Sequence, residues 1–214
     1  MNKSLIIYGA SNPTVFKVLD AVNRHRQTWT LSGFLDDGPS GHSRGVFYGH
    51  NVLGDRSYLD TMDLDAYVFF NNIFGSMKAR KAVNDFLLER GCRLTGLISP
   101  ETDLHLVEMG EAVTIEQQVS IDAFTRIGSY SCLKRSCSVG HETDLGDYTF
   151  IGPGATICGR VRVGEGSYLG AGCVVRDGVT VEAGSIVGAG AVVVKDVPPG
   201  MTVVGNPAAP LTKL

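Results

Sequence analysis

The 214-residue sequence lacks the features that mark several large classes of protein. Its net charge of −3 offers no basic surface for nucleic acid. It has no apolar run of about eighteen residues and no charged-then-apolar leader, so we expect no membrane insertion and a cytoplasmic location. The five cysteines form no CxxC pair and no zinc spacing, which predicts free thiols and no metal site.

What the sequence does contain is a repeat: residues 139–193 show the same pattern every six positions. Each block of six opens with a branched apolar residue, its second residue is usually Gly, and its fifth is small or β-branched. This period suits neither a helix nor a hairpin. It indicates a solenoid in which three blocks close a triangular coil of about eighteen residues. We expect the first and fifth residues to point inward, and the second-position glycines to permit tight corners.

The lattice of opening residues extends backwards beyond the clearest repeats. Steps of six between Met109 and Val193 give fifteen positions, and all fifteen are apolar. Because 43% of the chain is hydrophobic, chance would produce this about three times in a million. A β-sandwich is the alternative, but its strands alternate with a period of two. The lattice therefore predicts a solenoid of about five coils.

The first 98 residues show a different pattern, in which strands alternate with helices. This order predicts a small α/β unit with a parallel sheet, whose ligand site lies at the carboxyl ends of the strands. We expect a long loop over 38–55. The predicted strands are 4–8, 30–35, 66–70 and 93–98, and the predicted helices are 13–25, 56–62 and 78–90.

A loop of small residues follows the first strand and leads into a helix. Such a loop directs backbone N–H groups at a phosphate, although a plain turn between strand and helix is equally compatible with it. Neither a complete GxGxxG nor a Walker lysine is present. Asp36 and Asp37 end the second strand, where an acid commonly accepts hydrogen bonds from a sugar or base; a solvated loop acid is the alternative. The loop residues are Gly9, Ala10, Ser11 and Asn12.

His141 and Glu142 stand out from the repeat, because a histidine on an outward corner of a regular coil has no packing role. An imidazole beside a carboxylate is the arrangement that a general base needs. Adjacent side chains on a strand point to opposite faces, so the pair requires a turn of the backbone. Asp144 is another possible partner for His141, and a surface histidine without function is the alternative.

These motifs resemble those of the bacterial left-handed β-helix acyltransferases that modify nucleotide-linked amino sugars or sialic acid. The resemblance rests on HETDLGD from His141, on IGPGATICGRVRVGEGSYLGAGCVV from Ile151, and on VVGNPAAPL near the end. It covers essentially the whole chain. It implies a Rossmann-like α/β domain over 1–98 that binds a nucleotide sugar. It also implies a left-handed parallel β-helix with a C-terminal cap over 99–214.

The resemblance also assigns roles to individual residues. It implies that His141 is the general base and that Glu142 orients it. The co-substrate would be acetyl-CoA, bound in a groove between neighbouring solenoids of a homotrimer, with no metal. The residues implied for that groove are Gly152, Gly170, Ala171 and Gly188. Those implied for the nucleotide sugar are Gly9, Ala10, Ser11, Asn12, Asp36 and Asp37.

Two features depart from the family pattern. The first loop reads GASNPT and lacks the histidine that the family places there, and Lys134 stands where the family usually has Asn. The favoured function is N-acetylation of a nucleotide-linked 4-amino-4,6-dideoxy sugar. The alternatives are O-acetylation of sialic acid or a related sugar, and a non-catalytic solenoid that serves in assembly.

Overall fold

The computed structural model describes residues 3–26, 28–38 and 45–211. The chain divides into two compact units, Met1–Leu97 and Ile98–Leu214. Among the described residues, no helix has the length and apolar character needed to cross a membrane.

The first unit contains a five-stranded sheet in the order β3-β4-β2-β1-β5. The strands β1, β2, β4 and β5 are parallel, and β3 pairs antiparallel with β4. The strands are β1 (Lys3–Tyr8), β2 (Trp29–Leu35), β3 (Gly45–Phe47), β4 (His50–Gly54) and β5 (Tyr67–Asn71). The α-helices are α1 (Thr14–Arg26) and α2 (Met77–Glu89), with 3₁₀ turns at Arg56–Thr61 and Leu64–Ala66.

The apolar run at the start of the chain forms the centre of this sheet. Leu5, Ile6 and Ile7 are all fully buried, as a strand covered on both faces requires. Leu5 and Ile7 pack in a core with Val15 of α1, whereas Ile6 packs in a second core with Leu87 of α2. The alternation of β1 side chains therefore divides the unit into two layers of core.

Two expectations for this unit are wrong. Part of the predicted 38–55 loop is the hairpin of β3 and β4, whose Tyr48 and Gly49 both have positive φ (47° and 84°), as tight hairpin turns favour. Residues 39–44 of that loop lie outside the described part of the chain. The predicted strand over 93–98 forms only isolated bridges, from Leu94 to Phe69 and from Ile98 to Ile115.

The second unit is a solenoid of two-residue strands, one every six residues, that ends in a short antiparallel pair. Partners in neighbouring coils are eighteen residues apart, as Cys132 and Phe150 show, and the strands form three separate sheets. The repeating strands are β6 (Glu108–Met109), β7 (Thr114–Ile115), β8 (Ser120–Ile121), β9 (Arg126–Ile127), β10 (Cys132–Leu133), β11 (Ser138–Val139), β12 (Asp144–Leu145), β13 (Phe150–Ile151), β14 (Thr156–Ile157), β15 (Arg162–Val163), β16 (Tyr168–Leu169), β17 (Val174–Val175), β18 (Thr180–Val181), β19 (Ile186–Val187) and β20 (Val192–Val193). The last pair is β21 (Thr202–Val204) and β22 (Ala209–Pro210).

The predicted lattice residue is the second residue of every repeating strand. Met109 is 39% exposed and Ile121 is partly buried, and the other lattice positions are buried. Met109 is more exposed than the other lattice residues because its strand β6 opens the solenoid and pairs on one side only, with β9. The fifth positions from Thr143 to Ala191 are all buried, as predicted.

The role expected for the second-position glycines is also wrong. Positive φ occurs at the fourth position of each block, whether the residue is Tyr148 (φ +55°) or Gly154 (φ +65°). A Cβ on Gly152 would instead lie 2.6 Å from the backbone nitrogen of Ala171 in the next coil. These glycines are therefore needed for the close approach of stacked coils rather than for the turn itself.

Candidate active site

Two edges of the solenoid are relevant to the site. We call the corners at 104–107, 122–125, 140–143, 158–161 and 176–179 the histidine edge, because they include His141. We call the corners at 116–119, 134–137, 152–155, 170–173 and 188–191 the glycine edge. The strands β8, β11, β14, β17 and β20 form one sheet that runs from the glycine edge to the histidine edge.

The structure brings His141 and Glu142 together in the arrangement of a base and its orienting acid. His141 Nδ1 lies 3.0 Å from Glu142 Oε2, and the side chains are 45% and 56% exposed. Glu142 has a φ of +57°, which supplies the backbone turn that two adjacent side chains need in order to meet. A proton on Nδ1 is donated to the carboxylate, which leaves Nε2 with a lone pair that can accept a proton.

Gly159, in the next coil, fixes where Nε2 lies. A Cβ at Gly159 would be 2.6 Å from His141 Nε2, so the imidazole lies directly against the Gly159 backbone. The backbone N–H of Arg160 donates to the carbonyl oxygen of His141 at 2.8 Å. Sequence reasoning missed Gly159, although its spacing of eighteen residues from His141 was a signal for this contact.

Asp144 is not the partner of His141. Its two carboxylate oxygens accept hydrogen bonds from the guanidinium of Arg126 at 3.0 and 2.7 Å. Hydrogen bonding to Asp144 raises the pKa of Arg126 above its ordinary value. The alternative pairing is therefore excluded in this conformation, and Glu142 holds the imidazole.

In the first unit, Asp36 organises the small-residue loop. Its carboxylate accepts hydrogen bonds from the backbone N–H of Ala10 at 2.6 Å and of Gly38 at 2.7 Å, and its side chain is buried. Asn12 Oδ1 accepts from the N–H of Thr14 at 3.0 Å and so caps α1. Ser11, which lies between Ala10 and Asn12, is exposed. The loop is therefore shaped from within by two of the residues predicted to bind substrate.

Asn72 is a residue of this loop cluster that sequence reasoning missed. It follows β5, and its Nδ2 donates to the carbonyl oxygens of Gly9 and Asn12, both at 3.0 Å. Asn72 is buried, and its Oδ1 has no hydrogen-bond partner among the described residues. A polar residue at the end of the predicted strand 66–70 was the available signal, because the carboxyl ends of parallel strands meet at one edge.

Asp37, beside Asp36, belongs to an ion pair. Arg56 donates to Asp37 Oδ2 from Nε at 2.9 Å and from Nη2 at 2.6 Å, and the Tyr8 hydroxyl donates to the same oxygen. Burial alone would raise the pKa of Asp37, but the hydrogen bonds from Arg56 and Tyr8 lower it below its ordinary value. Burial and Asp37 raise the pKa of Tyr8 above 10. The negative charge of Asp37 is therefore already balanced by the guanidinium of Arg56.

Comparison with known proteins gives one family and several solved structures. Residues 142–177 and 160–195 match the family described as bacterial transferase hexapeptide (six repeats). Perosamine N-acetyltransferase from Caulobacter crescentus, solved as a histidine variant with CoA and GDP-perosamine, is 27% identical. The match covers 98% of this chain and 97% of that one, with a TM-score of 0.87. A comparison with curated proteins finds no match.

Two further structures match over the whole chain. The acetyltransferase domain of PglB from Neisseria gonorrhoeae, in complex with acetyl-CoA, is 29% identical over 99% of this chain and 100% of that one, with a TM-score of 0.87. WeeI from Acinetobacter baumannii is 28% identical over 98% and 100%, with a TM-score of 0.81. This chain is an acyltransferase, and it carries hexapeptide repeats over residues 142–195. Its fold is the predicted one, an α/β unit followed by a left-handed parallel β-helix.

The acyltransferase carries the residues predicted for the acetyl-CoA groove on the glycine edge. Gly152, Gly170 and Gly188 occupy equivalent positions at intervals of eighteen residues, and Ala171 follows Gly170. His141 follows β11 on the other edge of the same sheet, whereas Gly152 precedes β14. Within one chain, the strands of this sheet therefore separate the predicted groove from His141.

Lys134 also lies on the glycine edge of the acyltransferase, one coil before Gly152. Its ammonium pairs with the carboxylate of Glu116, and their side chains are only 7% and 2% exposed. The backbone N–H of Arg135 donates to Glu116 Oε2 at 3.1 Å. The departure from the family pattern at Lys134 is therefore a buried ion pair. Among the described residues, no group of three or more His, Cys, Asp or Glu could hold a metal ion.

Proposed function

We propose that this acyltransferase transfers an acetyl group from acetyl-CoA to the amino group of a nucleotide-linked 4-amino-4,6-dideoxy sugar. The observation that carries this proposal is the hydrogen-bonded His141–Glu142 pair on an exposed corner. The full-length likeness to a perosamine N-acetyltransferase in complex with CoA and GDP-perosamine, and to an acetyltransferase domain in complex with acetyl-CoA, supports the choice of donor and acceptor.

The chemistry follows from the free nitrogen of His141. The sugar amine attacks the thioester carbonyl carbon, and His141 Nε2 accepts a proton from the attacking nitrogen. Glu142 stabilises the imidazolium that forms, since its carboxylate accepts from Nδ1. When the tetrahedral intermediate collapses, the carbon–sulfur bond breaks and the sulfur takes the proton from the imidazolium. A backbone N–H at a corner stabilises the oxyanion.

Substrate placement leads to a proposal for assembly. We place acetyl-CoA along Gly152, Gly170, Ala171 and Gly188, because the last three corners of this edge carry only Gly, Ala, Pro and Cys and leave room for an extended ligand. Since His141 lies at the other edge of the sheet, a donor on one copy meets the base of a neighbouring copy when the solenoids pack side by side. A triangular solenoid is suited to threefold packing, so we propose a homotrimer.

We place the nucleotide sugar at the first loop of the α/β unit. The N-terminus of α1 and the backbone N–H groups near Ser11 favour a phosphate. The hydrogen bonds of Asp36 to the Ala10 N–H and of Asn72 to the Gly9 carbonyl oxygen hold that loop in place. Asp36 can still accept a further hydrogen bond, since a carboxylate has about four lone-pair sites. Asp37 is the weaker ligand because Arg56 and Tyr8 already bind it.

The decisive test is the turnover of His141→Ala. Acetyl transfer is followed as CoA release, with amino sugars on UDP, GDP and dTDP, and with CMP-sialic acid as a hydroxyl acceptor. We expect turnover on one nucleotide-linked amino sugar, and a fall in kcat of about 10²- to 10⁴-fold in His141→Ala. Acetyl-CoA affinity should not change, because the proposed donor site lies on the other edge.

A matched control is present on the same edge. His105 occupies the equivalent corner position two coils earlier and is exposed, so His105→Ala should leave kcat unchanged. Full turnover in His141→Ala would remove His141 as the base. Turnover of the hydroxyl acceptor alone would replace the proposed N-acetylation by O-acetylation, and no acetyl transfer to any acceptor would favour a non-catalytic solenoid.

A further inference from the structure

The histidine edge carries apolar side chains beside the catalytic pair. Phe124 and Leu106 occupy the same corner position as Glu142, one and two coils earlier. The N–H of Glu142 donates to the carbonyl of Ala123 at 3.1 Å, and the N–H of Phe124 donates to that of Leu106 at 2.8 Å. These bonds stack the three corners directly, at the strand spacing of about 4.8 Å.

A pocket of about 380 Å³ lies against these apolar corners. Its volume falls in the usual range of small-molecule sites, about 300–1,000 Å³. Leu106, Val107 and Phe124 form an apolar wall, and Glu108 and Arg126 form a charged one. Arg126 is held in place by its two hydrogen bonds to Asp144. The pocket therefore offers apolar surface together with a fixed donor and an acceptor, as a sugar ring requires.

The apolar wall of Leu106 and Phe124 is not explained by a contribution to the stability of the fold. Phe124 is 69% exposed with a φ of +61°, and Leu106 is 50% exposed with a φ of +58°. A left-handed conformation costs about 1–2 kcal/mol for a residue with a side chain. The same corner position is glycine at Gly178, which avoids that cost. Since the repeat imposes this conformation on every block, it is the solvent exposure of two large apolar side chains at neighbouring corners that points to a ligand.

We propose that this pocket receives the C6 methyl group and the adjacent apolar face of the acceptor sugar, which makes Phe124 and Leu106 specificity-determining residues. This inference rests on the proposed function. In a 4-amino-4,6-dideoxy sugar, C6 is attached to the carbon next to the one that carries the amine. An amine at His141 therefore brings the methyl group to the neighbouring corner.

The opposite side of His141 is polar, which sets the direction of the sugar. There the corner carries Gly159 and then Arg160, whose guanidinium pairs with Asp177 at 2.6 Å. A methyl group on that side would meet a charged pair and bare backbone. On the side of Phe124 it meets apolar surface, so the wall favours a 6-deoxy sugar over one with a 6-hydroxyl.

The test compares two acceptors that differ only at C6. Wild-type enzyme should prefer the 6-deoxy amino sugar over its 6-hydroxy counterpart by about 10- to 100-fold in kcat/KM. Phe124→Ala should reduce this preference about tenfold through KM for the acceptor, with KM for acetyl-CoA unchanged. Phe124→Leu keeps apolar surface and should retain most of the preference. Leu88→Ala removes an exposed apolar side chain from α2, far from this pocket in the chain, and serves as the control.

The outcomes separate this inference from the proposed function. Acetyl transfer without a preference at C6, or an unchanged preference in Phe124→Ala, would overturn the pocket assignment and leave the acetyltransferase intact. Dissociation of the assembly in Phe124→Ala, measured by light scattering, would also overturn it and assign the wall to a contact between copies. Absence of turnover by wild-type enzyme on every amino sugar would overturn both.

Discussion

The solenoid and the α/β unit place their polar residues under different constraints. In the solenoid, every corner has equivalents eighteen residues away, and the column through His141 reads His105, Ala123, His141, Gly159 and Asp177. A column that accepts such different residues has no packing need for histidine. In the α/β unit Asp36 has no equivalent, and its carboxylate holds the backbone of Ala10 and Gly38. A residue that interrupts a repeat is therefore a stronger sign of chemistry than a polar residue at a strand end.

The largest effect that tests this comparison is expected from Gly159→Ala. The added Cβ would lie 2.6 Å from His141 Nε2, and the imidazole is the part that can move. We expect kcat to fall about 100-fold, because a displacement of about 1 Å at a reacting group has that effect. Thermal unfolding should change little. Gly75→Ala is the control, because its Cβ would meet nothing within 4 Å; equal activity in the two variants would contradict the assigned position of the ring.

The second test compares glycines at two positions of one corner. In Gly152→Ala the new Cβ would lie 2.6 Å from the Ala171 nitrogen, and a backbone atom cannot move aside. We expect a loss of about 1–3 kcal/mol in unfolding free energy, as overpacking causes. Gly154→Ala meets open space with a φ of +65° and should cost about 1 kcal/mol. Denaturant unfolding measures both, and a larger loss in Gly154→Ala would restore the turn as the reason for the second-position glycines.

The third test asks whether Asp36 serves structure or substrate. Asp36→Ala leaves the N–H groups of Ala10 and Gly38 without their acceptor, so we expect a loss of about 1–3 kcal/mol in unfolding free energy. Affinity for the nucleotide sugar should fall as well, because the loop loses its shape. If affinity falls while stability stays at the wild-type value, Asp36 is a direct ligand only. Calorimetric titration and denaturant unfolding of the same samples distinguish a structural role of Asp36 from direct binding of the substrate.

The smallest effect is expected at the Tyr8–Asp37–Arg56 cluster. The pKa of Asp37 is lowered below 3.8, so its contribution to stability is present above that pH and disappears as pH falls through the folded-state pKa. The pKa of Tyr8 is raised above 10, so its contribution is present below pH 10 and disappears as pH rises beyond it.

Tyr8→Phe tests this cluster directly. It should lower the unfolding free energy at neutral pH by about 1 kcal/mol, the net value of one hydrogen bond. The difference between variant and wild type should shrink as pH rises above 10, because the folded wild-type hydroxyl resists ionisation while the unfolded one does not. A difference that stays constant across that range, in urea unfolding, would mean that the Tyr8 hydroxyl contributes nothing through its hydrogen bond to Asp37.

Prediction from sequence succeeded where neighbours in space stand at a fixed distance in the chain. The six-residue lattice located every repeating strand, and the His141–Glu142 pair was identified from its place in that lattice. It failed at two places in the first unit, for different reasons. The hairpin of β3 and β4 was missed because its strands are short, and the predicted strand over 93–98 was wrong because only Leu94 bridges β5.

The sequence by itself determined the solenoid, its coil length and the corner that carries His141, because each of these follows from spacing along the chain. Only the tertiary structure decided which acid partners His141, and that Asn72 ties the first loop. It also decided how far Leu106 and Phe124 are exposed beside the corner of His141. These facts depend on side-chain directions and on solvent exposure, and sequence spacing does not contain them.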